Sequence, residues 1–387
     1  MPLAEERTRR ILTTHVGSLP RDTHLAGLLY AKLTRSPGDP AALARATRDA
    51  VRGIVARQIA VGLDVIDDGE QSKTGFATYV TERLDGLERL PQAPKTEIAT
   101  REIQAFPDFY RHGHSGSARP RLACLHPIAY AGQAQLAADL DNLKAALEGQ
   151  DPVGVFVPAA SPSSVAGLLE NRHYGSEEEL VFAIAEAMRT EYEAIVGAGF
   201  QLQIDDPRLV MHYMLHPEAS IADCRRWAES RIEALNHALR NIDPQRIRHH
   251  TCYGINMGPR VSDMELKHLA DLILKIRAGH YLFEGANPRH EHEWRVWEHV
   301  SLPEGKVLVP GVITHTSVLV EHPELVAERI LRLAKIVGRE RVMAGGDCGF
   351  ASTLHPDTPP EIETAIVWAK MQSLVAGARI ATKALWG

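Results

Sequence analysis

No stretch of this chain approaches the ~20 consecutive apolar residues that a membrane-spanning helix needs. Its first residues, MPLAEERTRRILTTHVGS, carry charges where a secretory leader has an apolar run, so the expectation is a cytoplasmic protein. Cysteine is scarce. Four in 387 residues are too few for a disulfide scaffold and leave each Cys as a ligand, a nucleophile or core. Runs of Lys and Arg are missing and the net charge is −6, so the concentrated basic footprint of a nucleic-acid partner is absent. There is no tandem repeat and no low-complexity tract. The rest, 44% hydrophobic and 24% charged, is ordinary for a globular chain long enough for one barrel with an insertion.

Short apolar runs rich in Val and Ile punctuate the sequence. They predict strands at Ile11–Gly17, Leu63–Gly69, Val153–Ala159, Phe200–Asp205, Ile247–Tyr253, Tyr281–Gly285, Lys306–Ile313 and Arg341–Gly346. Helical stretches such as EEELVFAIAEAMRTEYEAIVGAG and MELKHLADLILKIRAG lie between them, each ending in Gly. Eight buried-looking strands alternating with helices predict a parallel sheet covered by helices, closed as a (β/α)₈ TIM barrel. Between the second and third strands lies about twice the chain that one crossover helix needs, which predicts an insertion over roughly residues 75–150 of a single 1–387 barrel domain.

In such a barrel the chemistry sits at the C-terminal strand ends. Here these read HVGS (15–18), DDGE (67–70), QIDD (203–206), HHTC (249–252), FEGAN (283–287), PGVITH (310–315) and GGDC (345–348). Ionisable groups are costly in a buried strand unless paired or metal-bound, so core packing alone does not explain them. His250 and Cys252 are two apart on one strand and leave the same face. Alone, H-x-C reads as chance and a buried Cys as a small hydrophobe. Glu284 ending the next strand and Cys348 ending the last change that reading. An imidazole, two thiolates and a carboxylate make a tetrahedral donor set suited to Zn²⁺ and not to Mg²⁺ or Ca²⁺. Cys224, in a helical stretch, and Cys124, in the insertion, read as structural. The HEHEW run at 290–294 reads as a solvated or helix-capping stretch.

TTHVGSLPR, DDGE, QIDDP, HTCYGIN, FEGAN, PGVITH and GGDCG, in that order from Thr13 to Gly349, resemble the C-terminal barrel of cobalamin-independent methionine synthases. The resemblance implies the same four zinc ligands. It also implies a homocysteine site formed by Val16, Gly17 and Ser18, Glu70 and Asp205, and a proton donor at His315, whose loop is one residue shorter than the family's. Two positions depart from the family. The Trp that carries the folate ring has no counterpart in VPAASPSSVAGLL, and an acidic folate contact is Met211. The thiol half of the site is thus intact and the methyl-folate half eroded. His15 stands where the synthases have Thr and reads as a changed pocket or as core.

A free thiol, with a pKa near ~8.5, is mostly protonated at neutral pH, and binding to zinc deprotonates it. Three anionic ligands keep such a metal electron-rich, which favours attack of sulfur on carbon over hydrolysis. The leading expectation is a zinc-dependent S-alkyltransferase, taking a small-molecule thiol such as homocysteine and a methyl or alkyl donor that need not be folate. One rival is addition of a thiol such as coenzyme M to an epoxide, because HVGSLPR and the NPRHEHE stretch are also similar to the zinc enzymes of that class. A second is a zinc- or thiol-binding barrel without catalysis. A third is a metal-free decarboxylase of the related uroporphyrinogen type, which has no use for four zinc ligands.

Overall fold

The computed structural model describes residues 2–91, 95–96, 100–111, 118–119, 121–254, 257–351, 354, 360 and 362–387. Seven strands form one parallel sheet in the order Val65–Ile66, Gly154–Ala160, Gln201–Asp205, Ile247–Thr251, His280–Phe283, Val307–Ile313 and Gly345–Gly346. The N-terminal segment closes it. Thr13 bridges Ala344 and Thr14 bridges Val65, both in parallel, so the chain's beginning fills the gap between the first and last strands. Thr14 N–H donates to Ala344 O at 2.9 Å and Val65 N–H donates to Thr13 O at 3.0 Å. The result is an eight-position ring, the (β/α)₈ architecture.

Several strands are shorter than expected. The last shrinks from Arg341–Gly346 to Gly345–Gly346, and the first is reduced to its two bridges. Where Ile247–Thr251 and His280–Phe283 stop short at their C-terminal ends, the backbone that follows is diverted to polar side chains. The Glu284 carboxylate takes Tyr253 N–H, and Asp347 takes Gly285 and Ala286 N–H.

Alternation along each strand separates two cores. Leu12, Phe156, Leu282, Val307, Val309 and Met343 fill the barrel interior, while their neighbours pack outward against the helices. Arg248, His250 and Cys252 share the inward face. The Arg248 guanidinium lies 3.8 Å from the Phe156 ring centroid and donates to Thr14 Oγ1 and His15 O, plugging the barrel beneath the strand ends. Burial draws Arg248 down to about 9, against the pull of Asp67 and Asp205.

Long outer helices follow the expected pattern. Glu177–Gly197 starts at Ser176, whose side chain accepts Glu179 N–H, and buries Leu180, Ile184 and Met188. MELKHLADLILKIRAG departs from it. Instead of one helix it forms two short turns, Leu266–His268 and Ala270–Ile273. Leu266, Leu269, Leu272, Ile273, Ile276 and Ala278 are all buried, more faces than one helix could present to the core, and Glu293 captures Leu266 N–H.

Between the second and third positions of the ring, Leu84–Arg89 pairs antiparallel with Leu122–Tyr130, which in turn pairs parallel with Leu169–Asn171, just after the third position. Cys124 packs in this small sheet and Cys224 in the helix Ile221–Ala238; both thiols are free and buried. No described helix is long and apolar enough to cross a membrane.

Candidate metal centre

His250, Cys252 and Cys348 converge at the top of the ring, with their ligand atoms within 4.8 Å of one another. Two adjacent inward residues of Ile247–Thr251 and its extension supply the first pair. The turn after the last strand swings Cys348 across, so that its Sγ donates to Cys252 Sγ at 3.3 Å with no disulfide between them. His250 Nδ1 lies 2.9 Å from the Asp205 carboxylate. Its Nε2 is buried with no hydrogen-bond partner among the described residues.

The electrostatics of this cluster call for a cation. Burial alone would lower His250, but Cys252 and Asp205 outweigh it and raise the imidazole to about 10. Cys252 is pushed well above an ordinary thiol, first by contact with Cys348 and then by burial. Two thiols and an orphaned imidazole nitrogen, buried together, form a donor group that a soft divalent ion would bind, displacing the proton held by Cys252. The Asp205 contact also fixes which nitrogen faces the thiols, as carboxylates behind metal-bound histidines do. The donor set fits zinc.

Glu284 does not join the three. Its Oε1 accepts Tyr253 N–H at 2.9 Å, and its Oε2 accepts from Arg260 Nη2 at 2.8 Å and Asn287 Nδ2 at 2.7 Å. Burial raises its pKa, with Arg260 opposing. The carboxylate is at the predicted strand end but turned to the guanidinium.

The other expected residues surround the cluster. Glu70 is buried in the left-handed region at φ 53°, a conformation held by Asp68, which accepts Glu70 N–H at 2.9 Å. Burial lifts Glu70 to about 7, with Lys73 opposing and Asp205 adding to the rise. Gly17, at φ +139°, passes so close that a Cβ there would come within 2.8 Å of Glu70 Oε1. Only glycine allows that approach. Val16 is buried below it, and Ser18 reaches the turn after Cys348, where Phe350 N–H donates to Ser18 O at 2.9 Å. His15 is a bracing residue: Nε2 lies 2.7 Å from Gln58 Oε1, and Nδ1 accepts Gly17 N–H at 3.2 Å. Burial takes it down to about 3, so it is neutral.

His315 is buried, with neither ring nitrogen hydrogen-bonded to a described side chain. Burial draws it down to about 4, against Asp347. The HEHEW run differs from the expectation of a solvated stretch. His290 is buried between Asp263 (3.0 Å) and Glu293 (2.8 Å), Glu293 is buried too, and His292 is exposed. Tyr253 stacks on His290 at 4.1 Å, so this face supports the strand end.

Three further residues matter at the site and were not singled out from the sequence. Arg260 sits in the loop GPRVSD, which no strand-end argument reaches. Gln203, whose amide donates to Asp205 Oδ1 at 2.9 Å, precedes a motif aspartate and could have been read as its partner. Asp347 lay in the quoted GGDC and anchors three donors of the FEGAN turn.

The model of the cobalamin-independent synthase catalytic domain matches residues 170–371, just over half of the chain. The chain belongs to that family. Among its relatives, the methionine synthase of Thermococcus kodakarensis is 24% identical over 376 residues, covering 96% of this chain and 94% of its own length. The methionine synthase of Saccharolobus solfataricus is 23% identical over 379 residues, covering 96% and 95%. Among solved structures, the B12-independent methionine synthase from a Shewanella species, in complex with selenomethionine, superposes with a TM-score of 0.73 at 20% identity over 97% of this chain and 99% of that one. At that identity the superposition speaks for the fold: a family barrel from end to end.

Proposed function

We propose that this protein is a zinc-dependent S-methyltransferase acting on homocysteine or a closely similar amino-acid thiol. The observation that carries the reading is the convergence of His250 Nε2 with the thiols of Cys252 and Cys348, beside the carboxylates of Glu70 and Asp205. Zinc would be held by His250, Cys252 and Cys348, with Glu284 as the further candidate ligand, and would supply deprotonation of the incoming thiol. The relatives named methionine synthase support the same reaction class.

The remaining work falls to the chain's own side chains. Glu70 and Asp205, both buried, receive the substrate ammonium in a charge-assisted contact. The Val16–Ser18 turn, opened by Gly17, receives the carboxylate end. Asp205 also holds His250 by Nδ1, so it couples the substrate's amine to the orientation of a ligand. His315 stands at the end of Val307–Ile313 as the hydrogen-bond donor to the leaving group. Burial keeps it a neutral imidazole, and its N–H hydrogen-bonds the leaving atom as negative charge develops there, while the proton itself comes from solvent. The donor is a methyl compound that need not be folate, because Met211 and the VPAASPSS segment offer neither the acidic contact nor the Trp.

The test is methionine formation from homocysteine by zinc-loaded protein, across folate, corrinoid and sulfonium methyl donors. Product from coenzyme M and an epoxide, with no methionine from any donor, would replace this reading with the epoxide one.

A further inference from the structure

Glu284 is the expected metal ligand that faces elsewhere, and what it faces is built with care. Arg260 donates through Nη2 to Glu284 Oε2 at 2.8 Å and through Nε to Asp263 Oδ2 at 2.8 Å. Its guanidinium lies 5.2 Å from the Tyr253 ring centroid, and the residue is almost wholly buried. Burial alone would lower Arg260; Glu284 and Asp263 reverse this and raise it.

Arg260 also adopts the left-handed backbone at φ 59°, uncommon for a side chain of this size. That backbone is held from far away in the sequence. The Glu102 carboxylate, from the helix Thr100–Ala105, accepts Arg260 N–H at 2.9 Å and Ser262 N–H at 2.8 Å. Glu102 is fully buried, and Tyr110 Oη–H steadies it by donating to Oε2 at 3.2 Å. Strain held in place by a dedicated partner is found where a side chain must be aimed.

We propose that Arg260, latched by Glu102, is a positioning residue that competes with the metal for Glu284. Resting on the zinc reading above, it gives the carboxylate a second, charge-matched seat. Glu284 moves between the guanidinium and the metal, and Arg260 sets how readily the metal gives up its carboxylate when a thiol arrives. Breaking one partner of a buried ion pair leaves the other charge uncompensated; without Arg260 the carboxylate keeps the weaker pull of His290 and turns more readily to the metal.

The experiment measures zinc affinity by chelator competition for wild type, Arg260→Gln, Glu284→Gln and the double variant. Arg260→Gln should bind zinc roughly tenfold tighter, and its zinc-induced rise in melting temperature should exceed that of wild type. In the Glu284→Gln background the same substitution should change affinity little, because the effect runs through Glu284. Unchanged or weaker binding in Arg260→Gln overturns the proposal. So does a gain that persists in Glu284→Gln, which would mark simple repulsion between guanidinium and metal. Wild type that takes up no zinc overturns the zinc reading itself and this inference with it, whereas zinc-binding wild type with a silent Arg260→Gln overturns this inference alone. If Arg260→Gln does not fold, Arg260→Lys, which keeps the charge and loses the fork, should show a smaller gain of the same sign; no gain there is equally fatal.

Discussion

Asp205 and His250 stand side by side on neighbouring strands, carboxylate to Nδ1 at 2.9 Å, so that the other imidazole nitrogen is turned toward two thiols. One aspartate therefore selects the tautomer and aims the ring. Replacing it by Asn keeps the shape and loses the charge. Asp205→Asn should weaken zinc binding by roughly 10- to 100-fold, read by chelator competition, with an unchanged circular dichroism spectrum.

The 3.3 Å between the Cys252 and Cys348 sulfurs is close enough for oxidative coupling once no metal intervenes. Chelated protein treated with a mild oxidant should yield a Cys252–Cys348 disulfide, found by peptide mapping under non-reducing conditions. Zinc-loaded protein should resist. Cys124 and Cys224, buried in separate parts of the fold, should stay free in both samples.

Glu70 titrates near 7 in the folded chain because burial outweighs Lys73. Its anionic form is the one that holds an ammonium group, so the affinity for an amino-acid thiol should climb as pH rises through about 7. In Glu70→Gln that rise should vanish; a thiol lacking the amine should show none with either protein. For stability the sign is opposite. Between the ordinary value of 4.5 and about 7 the folded chain keeps a proton that the unfolded chain has lost, so this group makes stability fall as pH rises across that window. Urea melts of wild type and Glu70→Gln over this range would check it.

His315 is neutral at pH 7, with burial holding it near 4. His315→Asn should lower turnover by about 10²-fold or more while leaving KM for the thiol nearly unchanged. Single-turnover measurements would separate the chemical step from release. A variant with full turnover would remove His315 from the reaction.

Gly311 backs onto Asp347 so closely that a methyl group there would overlap the carboxylate. Asp347 holds Gly285 N–H, Ala286 N–H and Asn287, and thus the turn after Glu284. Gly311→Ala should cost roughly 1–3 kcal/mol in a thermal melt, through overpacking and displacement of this anchor.

Barrel and cluster were legible in the chain for different reasons. Val- and Ile-rich runs mark the strands because a parallel strand is buried on both faces, and the polar residues that end those runs mark the rim. His250, Cys252 and Cys348 follow from that address alone. Glu284 has the right address and the wrong neighbour, because its direction is decided by Arg260, which no periodicity marks. Glu102 lies 158 residues from Arg260, and only tertiary structure pairs them. HEHEW was misleading for a related reason. Alternating His and Glu look solvated in sequence, yet His290 and Glu293 turn inward because Asp263 and Leu266 N–H need partners there. MELKHLADLILKIRAG carries a helical pattern that tertiary contacts break into two turns.

Thr13 and Ala344 touch, although nearly the whole chain separates them. On a growing chain the opening segment must wait for almost the last strand before the circle can be completed, a contact of the longest range and therefore slow. Cys348 belongs to that late-arriving piece, whereas His250 and Cys252 are made about a hundred residues earlier. The three donors can meet only in a molecule whose circumference is whole. Metal content, counted during refolding, would then be a gauge of how many molecules have joined their two ends.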